Sequence, residues 1–275
     1  MISFKDTTII IPHLGADEQQ ETALDQCFYS LKETVPDIKI LIATNGRKCK
    51  HDRGHIDLYQ QGQCKAVNAA VATTGTEWIL VSNDDMIYPN NWWQRLTAFY
   101  VPGKKEKEFL CISPKLVEPK VGAPTFIVKP FGGVGDFNKI AFENFARERE
   151  HPVSLYEPGF NLPFLIRRDL WDTVGGYDIS YDPWGSNGDS DLEYKIRLAG
   201  VQPYQSQDAV VYHFSQTSGT FSPDNQGYWK KNWDYFIEKF GFERTDKGIW
   251  EANFEMPDKS VRIFKPEYEG KYDRL

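Results

Sequence analysis

The sequence is poor in cysteine, in long apolar runs and in basic charge, and each shortage removes a class of protein. Its four cysteines, Cys27, Cys49, Cys64 and Cys111, are far apart and form no C-x-x-C pair. Zinc-knuckle and redox-motif readings are therefore weak, and reduced thiols in a cytosolic protein are the expectation. The strongest apolar runs, residues 8–12 and 78–82, are strand-sized, whereas a transmembrane helix needs roughly 20 consecutive apolar residues. Residues 1–6 lack the apolar stretch of a signal peptide, so the expected location is cytoplasmic, with no transmembrane segment. The 32 Lys and Arg are outnumbered by 39 Asp and Glu, for a net charge of −7. A duplex-binding protein needs a basic face to displace phosphate counterions, so no nucleic-acid partner is expected. The same balance admits an anionic substrate whose charge a bound cation neutralises.

What is present is ordinary globular material. Of 275 residues, 40% are hydrophobic and 26% charged, enough for one large domain or one domain with an appendage. Aromatic residues reach 15%, with eight Trp. Such rings pack on the C–H faces of sugars, although each single Trp reads first as a core residue.

Along the first half, β-branched runs alternate with amphipathic stretches. Residues 7–12 (TTIIIP), 38–43 (IKILIA) and 77–82 (EWILVS) read as buried strands. Residues 18–34 carry Ala23, Leu24, Cys27, Phe28 and Leu31 at helical spacing. Residues 63–74 and 89–100 also read as helices, the latter with Pro in its first turn. This alternation predicts an α/β fold with a mostly parallel sheet covered by helices. Ligands bind such sheets beyond the carboxyl ends of the strands, which singles out the loops at 13–17, 44–50 and 83–88. Residues 114–158, rich in Gly and Pro, read as loops and short elements over the core. Gly133-Val134-Gly135 lacks the third glycine of a dinucleotide fingerprint. Regular structure is expected again as a strand at 165–168, a helical turn at 169–174, a helix at 189–199 and a strand at 209–213. A Trp- and Tyr-rich extension follows, with a helix near 228–240 and strand-like residues at 248–265. The domain division implied is 1–218, with 219–275 as an extension packed on it, since fifty-odd residues rarely build an independent core.

Three groups of residues carry chemistry. Asn83-Asp84-Asp85 follows a buried strand, where hard oxygen ligands can converge on Mg²⁺ or Mn²⁺ and neutralise a diphosphate. The alternative is a solvated acidic turn that caps the next helix. Residues 184–192 (WGSNGDSDL) place Asp189 and Asp191 at i and i+2 of a helix start, pointing in different directions. One can face a cleft as a general base while the other caps the helix or holds a loop. His213 closes a strand, and beside Asp85 and phosphate oxygens its imidazole would suit Mn²⁺.

Taken together, these motifs resemble glycosyltransferase family 2, inverting enzymes of the GT-A fold. The resemblance runs from about Thr7 to His213: the strand Ile9-Ile10-Ile11-Pro12, then Gly62, Ala66 and Asn68 as G-x-x-x-A-x-N, the metal turn, Arg167, Gly175-Gly176-Tyr177-Asp178, Gly188-Asp189-Ser190-Asp191-Leu192, and His213. It implies a nucleotide-sugar donor, a hydroxyl acceptor (a glycan, a lipid-linked or another acceptor) and Mn²⁺ or Mg²⁺. Lipid-linked acceptors would bring the chain to a membrane surface peripherally. Asp85 takes the position of the acid that ends the D-x-D motif, and His213 that of the late metal ligand. Asp189 takes the general base's place, with Asp191 as its understudy. The donor-side positions are Pro12, Thr44, Asn45, Lys65, Asn68, Asn83 and Asp84, and Trp184 is a sugar-stacking platform or a packing residue. The sequence departs from the family in Asn83, which replaces the first acid of D-x-D, in Gly188, which replaces a Glu, and in Ala43-Thr44-Asn45-Gly46, which lacks the acid that reads the base. A sugar-phosphate nucleotidylyltransferase would need a Gly-rich, basic loop where His13-Leu14-Gly15-Ala16-Asp17 stands. A non-catalytic carbohydrate-binding protein is the other alternative, supported by the aromatic surplus.

Overall fold

Every residue of β1 (Thr7–His13) is buried, as a strand covered on both faces must be. It lies between β2 (Lys39–Thr44) and β3 (Trp78–Val81) and is parallel to both. The computed structural model describes residues 2–44, 49, 51, 62–100, 110–120, 126–150, 154–215, 217 and 222–240. The crossover helices are α1 (Glu18–Thr34) and α2 (Gln63–Ala72). The Asp17 carboxylate accepts from the Gln20 amide to start α1, and Ala23, Leu24, Cys27 and Leu31 form its buried stripe.

The remaining strands are β4 (Met86–Ile87), β5 (Cys111–Glu118), β6 (Ile127–Val128), β7 (Tyr156–Pro158), β8 (Phe164–Arg167) and β9 (Tyr204–His213). The helices are α3 (Trp92–Leu96), α4 (Lys139–Glu148), α5 (Arg168–Val174), α6 (Gly188–Leu198) and α7 (Gln226–Phe240). The main path of the sheet runs β2-β1-β3-β8-β5-β9-β4. Only β8 and β4 on that path run against the others, so the sheet is mixed and mostly parallel. The carboxyl ends of β1, β2, β3, β5 and β9 therefore meet at one edge. That edge carries His13, Thr44, the Asn83-Asp84-Asp85 turn, Glu118 and His213. Helices α2 and α6, which lead into β3 and β9, start from the same edge.

The structure corrects the reading of residues 114–158. Most of β5, a core strand with Cys111, Ile112, Leu116 and Val117 buried, lies there, together with the ten-residue helix α4. Pro114 hid the strand. It sits where the β5–β9 register shifts between Ser113 and Lys115, so its missing N–H removes no ladder bond. Buried Ser113 is satisfied by Asn161, and the Lys115 ammonium reaches Glu157 at 2.7 Å and Gln205 at 2.9 Å. In α4, Phe142 and Ala146 are buried and Ala141 and Phe145 pack half-buried beside them, a short stripe set within a Gly- and Pro-rich stretch. Helix α3 is shorter than the expected 89–100, because Asn91 takes a left-handed conformation just before it.

Helix α7 closes the described chain. Phe236 and Phe240 pack edge-on against Tyr194 of α6. Residues 241–275, with the strand-like 248–265, lie outside the described residues.

The G-x-x-x-A-x-N segment works as a packing device. The Asn68 amide donates to the Tyr177 carbonyl at 2.8 Å and accepts from the Tyr177 amide at 3.0 Å. It thereby fixes the turn in which Gly176 sits at φ +61°. A Cβ on Gly176 would lie 2.8 Å from both Asn68 Oδ1 and the Trp171 ring. Gly176→Ala should therefore destabilise the protein by about 1–3 kcal/mol. The check is a lower urea midpoint with an unchanged denaturant slope.

Candidate active site

The ladder between β4 and β9 brings Asp85 to His213. Met86 is paired with His213, and the Phe214 amide donates to the Asp85 carbonyl at 3.1 Å. The His213 Nε2 lies 3.2 Å from Asp85 Oδ1, while its Nδ1 lies 2.6 Å from Glu118 Oε1 at the end of β5. The second Asp85 oxygen accepts from the Thr217 hydroxyl at 2.7 Å. Burial alone would lower the imidazole's pKa, but the charges and hydrogen bonds of Asp85 and Glu118 push it up to about 10. Burial would likewise raise the Asp85 carboxyl, yet His213 and Thr217 hold it below the ordinary carboxylate value.

The neighbouring carboxylate has its own imidazole. His13 Nδ1 lies 2.6 Å from Asp84 Oδ2, and His13 Nε2 lies 3.5 Å from Glu21 Oε1 of α1. Burial opposes protonation of His13, and Asp84 and Glu21 outweigh it, so its pKa is raised. Of the donor-side expectations, Pro12 and Thr44 are buried at the ends of β1 and β2, with Thr44 in register with His13. Asn83 is half-buried, and its carbonyl accepts from the Ser82 hydroxyl and the Cys27 thiol. Asn45 lies outside the described residues.

A second cluster forms where α2 and α6 begin. The Tyr177 hydroxyl donates to Asp189 Oδ1 at 2.5 Å, and burial raises the Asp189 carboxyl to about 6 against that bond. Part of the Asp189 surface stays open. Asp191 points the other way, as the i, i+2 spacing requires. It is fully buried, with Oδ1 3.1 Å from the Lys195 ammonium and Oδ2 bonded to Lys239 of α7. Asn68 is engaged by Tyr177. Lys65 is half-buried, and its amide, with that of Cys64, donates to the Asp182 carboxylate (3.1 and 2.8 Å). Trp184, also half-buried, stands between Asp182 and Asp189 along the chain.

The sequence reading did not single out Glu118, Thr217 or Asp182, and it places Tyr177 in the Gly175-Gly176-Tyr177-Asp178 motif without a role. Glu118 lay at the end of an unrecognised strand. His13 carried a signal, since it opens a loop at a strand's carboxyl end.

Asp85 and His213 fit a divalent cation. Their ligating atoms, 3.2 Å apart, match neighbouring ligands of an octahedral ion held at about 2.1 Å, which are about 3 Å apart. Glu118 orients the far imidazole nitrogen, the usual support for a metal-binding histidine. Among the described residues no group of three or more His, Cys, Asp or Glu side chains converges on one point. The described side chains would thus supply two ligands, and the rest would come from substrate and water.

Because the folded pKa of His213 is raised from 6.5 to about 10, its stabilisation is complete below about pH 6.5 and lost as pH rises toward 10. Asp85, held low, remains charged throughout that window. In metal-free protein, the stability gap between the native chain and His213→Gln should be widest near about pH 6 and narrow toward about pH 10. Urea unfolding across that range measures it, and a gap that widens with pH contradicts the pairing.

No protein-family model matches the chain. Over 119 residues, 42% of this chain, it is 29% identical to the uncharacterized proteins Rv1525 of Mycobacterium tuberculosis and Mb1552 of Mycobacterium bovis, and the match covers 46% of each. The chain thus spans about half the length of the curated relatives it matches. Among solved structures it is similar to GalNAc-T7 with UDP, GalNAc and Mn²⁺, at a TM-score of 0.54 and 14% identity, over 84% of this chain and 50% of that one. The mannosyltransferase PcManGT from Pyrobaculum calidifontis, in complex with GDP-Man and Mn²⁺, gives 0.54 and 14%, over 85% and 64%. TarS of S. aureus (residues 1–349) gives 0.53 and 12%, over 85% and 80%. At these identities the likeness is one of fold: the mixed α/β architecture of GT-A glycosyltransferases.

Proposed function

We propose that this chain is a metal-dependent glycosyltransferase that moves a sugar from a nucleoside-diphosphate donor to an acceptor hydroxyl, with inversion, in glycan or polysaccharide synthesis. The observation that carries this reading is the Asp85–His213 pair, backed by Glu118, at the carboxyl edge of a GT-A sheet. The similar proteins GalNAc-T7, PcManGT and TarS were solved with UDP, GDP-Man and UDP-GlcNAc respectively, which supports a nucleotide-sugar donor.

In this reading Asp85 and His213 hold Mn²⁺ or Mg²⁺. When bound, the cation neutralises the diphosphate and makes it a better leaving group. Thr44 and Asn83 line the nucleotide side. Asp84, tied to His13, fixes the turn instead of meeting the donor, and Asn68 is likewise a packing residue. Asp189 is the general base. Its carboxyl titrates at about 6, so at neutral pH it is ionised and still basic enough to take a proton. The acceptor oxygen bonds the anomeric carbon as the bond to the diphosphate breaks. The hydroxyl proton passes to Asp189 and the electron pair leaves with the nucleotide. Attack from the face opposite the leaving group inverts the carbon. Trp184 is the sugar-stacking platform beside it, and Asp191 supports the loop instead of reacting.

Asp189→Asn should keep Mn²⁺-dependent nucleotide binding by calorimetry while transfer falls about 10²–10⁴-fold. Asp85→Ala should instead abolish the Mn²⁺ dependence of that binding. Normal transfer by Asp189→Asn would rule out its role as base.

Transfer by the native chain should fall about tenfold per pH unit below about pH 6, since only ionised Asp189 accepts the proton. A rate profile flat through that region would contradict the assignment.

A further inference from the structure

We propose that Asn232 of α7 is a positioning residue for residues 181–189, the segment that carries Trp184 and Asp189. The catalytic part of this inference rests on the function proposed above; the tethering part does not.

Asn232 is 1% exposed. Its amide nitrogen donates to the Tyr181 carbonyl at 2.7 Å and to the Ser186 carbonyl and hydroxyl, each at 3.0 Å. The inward face of α7 comprises Asn232, Phe236, Lys239 and Phe240, an i, i+4, i+7, i+8 stripe on which an apolar side chain is the ordinary choice. A buried Asn there is warranted by the groups it satisfies. Among the described residues its own Oδ1 has no hydrogen-bond partner, and toward this segment the side chain acts as a donor.

The segment needs such a tether because residues 182–187, between the 3-10 turn that ends at Tyr181 and the start of α6, belong to no helix or strand. Gly185 and Asn187 are both left-handed, at φ +69° and +65°. On the opposite side, α2 supplies the second anchor. Its first amides donate to the Asp182 carboxylate, and the Gln63 amide donates to the Pro183 carbonyl at 3.3 Å. Gly62 leaves room for this contact, since a Cβ there would lie 2.1 Å from the Asp182 carboxyl carbon. Helix α7 is in turn pinned by Lys239, whose ammonium bonds Asp178 at 2.6 Å and also Asp191. Trp184 and the start of α6 are thus suspended between α2 and α7. A displacement of about 1 Å at reacting groups can cost about 10²-fold in rate.

The test uses the full chain and three variants. Asn232→Ala removes the donor, and Asn232→Leu removes it while keeping the volume that docks α7. Phe240→Leu loosens the same helix without touching the segment. Hydrogen exchange should accelerate at least tenfold across 181–189 in both Asn232 variants and stay within threefold in Phe240→Leu. With UDP-GlcNAc and GDP-mannose plus Mn²⁺ as probe donors, nucleotide release by the Asn232 variants should show kcat down ten- to hundredfold and KM within threefold. Unchanged exchange at 181–189, or equal acceleration in Phe240→Leu, overturns the tether whether or not either donor is a substrate. Faster exchange with normal kcat, while Asp189→Asn is inactive, overturns the positioning role. If Asp189→Asn turns over normally, the base assignment falls, and the exchange result alone decides for or against the tether.

Discussion

Two adjacent carboxylates at the end of a buried strand repel each other and lose hydration, and the rest of the edge is arranged around that constraint. Asp84 and Asp85 each meet an imidazole, His13 and His213, from different strands. One pairing draws β1 and α1 toward the turn, through Glu21. The other draws in β9 and β5, through Glu118. Each histidine therefore joins two carboxylates, and the result is a chain of alternating charge across the edge of the sheet. Burial without these partners would shift the carboxyl groups toward neutrality, and a neutral turn would be of little use to a cation. The division also sorts the two aspartates. Asp84 is locked inward by His13, while Asp85 shares its histidine with the site where a cation would sit.

The second cluster solves a related problem with different means. Asp189 and Asp191 lie two residues apart on the first turn of α6, so they face different surroundings. Asp191 is sunk among Lys195, Lys239 and Tyr181 and joins α6 to α7. Among the described residues, Asp189 has no ion-pair partner, and its carboxylate accepts from the Tyr177 hydroxyl. Burial thus moves its carboxyl upward, toward the range in which a carboxylate accepts protons from substrates.

Much of this was legible in the sequence, for identifiable reasons. The strands at residues 7–12, 38–43 and 77–82 are apolar on both faces, and such runs leave few alternatives. Helix α1 carries a regular apolar stripe, and its observed bounds are those the sequence predicts. The i, i+2 spacing by itself separates Asp189 from Asp191. The failures have equally specific causes. Strand β5 contains Pro114, Lys115 and a buried Ser113, whose compatibility with a core depends on Asn161, Glu157 and Gln205, residues distant in sequence. Missing β5 meant missing Glu118. Asn68 matched a motif by spacing, yet its amide is occupied by Tyr177, a contact 109 positions away along the chain. Asn232 lies in a segment legible as an aromatic-rich helix, where nothing in the pattern marks one polar residue as buried.

The pair Asp85 and His213 has one more consequence for the proposed function. In that reading, two side-chain ligands from the described residues would hold a hard divalent cation weakly, since such ions take six or more ligands and give up their waters reluctantly. A diphosphate adds oxygens to the same coordination sphere, so cation and donor would each strengthen the other's binding, and by linkage the enhancement is the same in both directions. His213 adds a proton to this coupling. Its Nε2 would have to give up the proton shared with Asp85 before it could ligate, so cation binding would compete with the protonation that stabilises the folded edge. The ion pair that organises the folded edge is therefore the one a cation would have to displace. Glu118 on the imidazole and Thr217 on the carboxylate are the supports that would remain, and they would keep both side chains aimed at the same point.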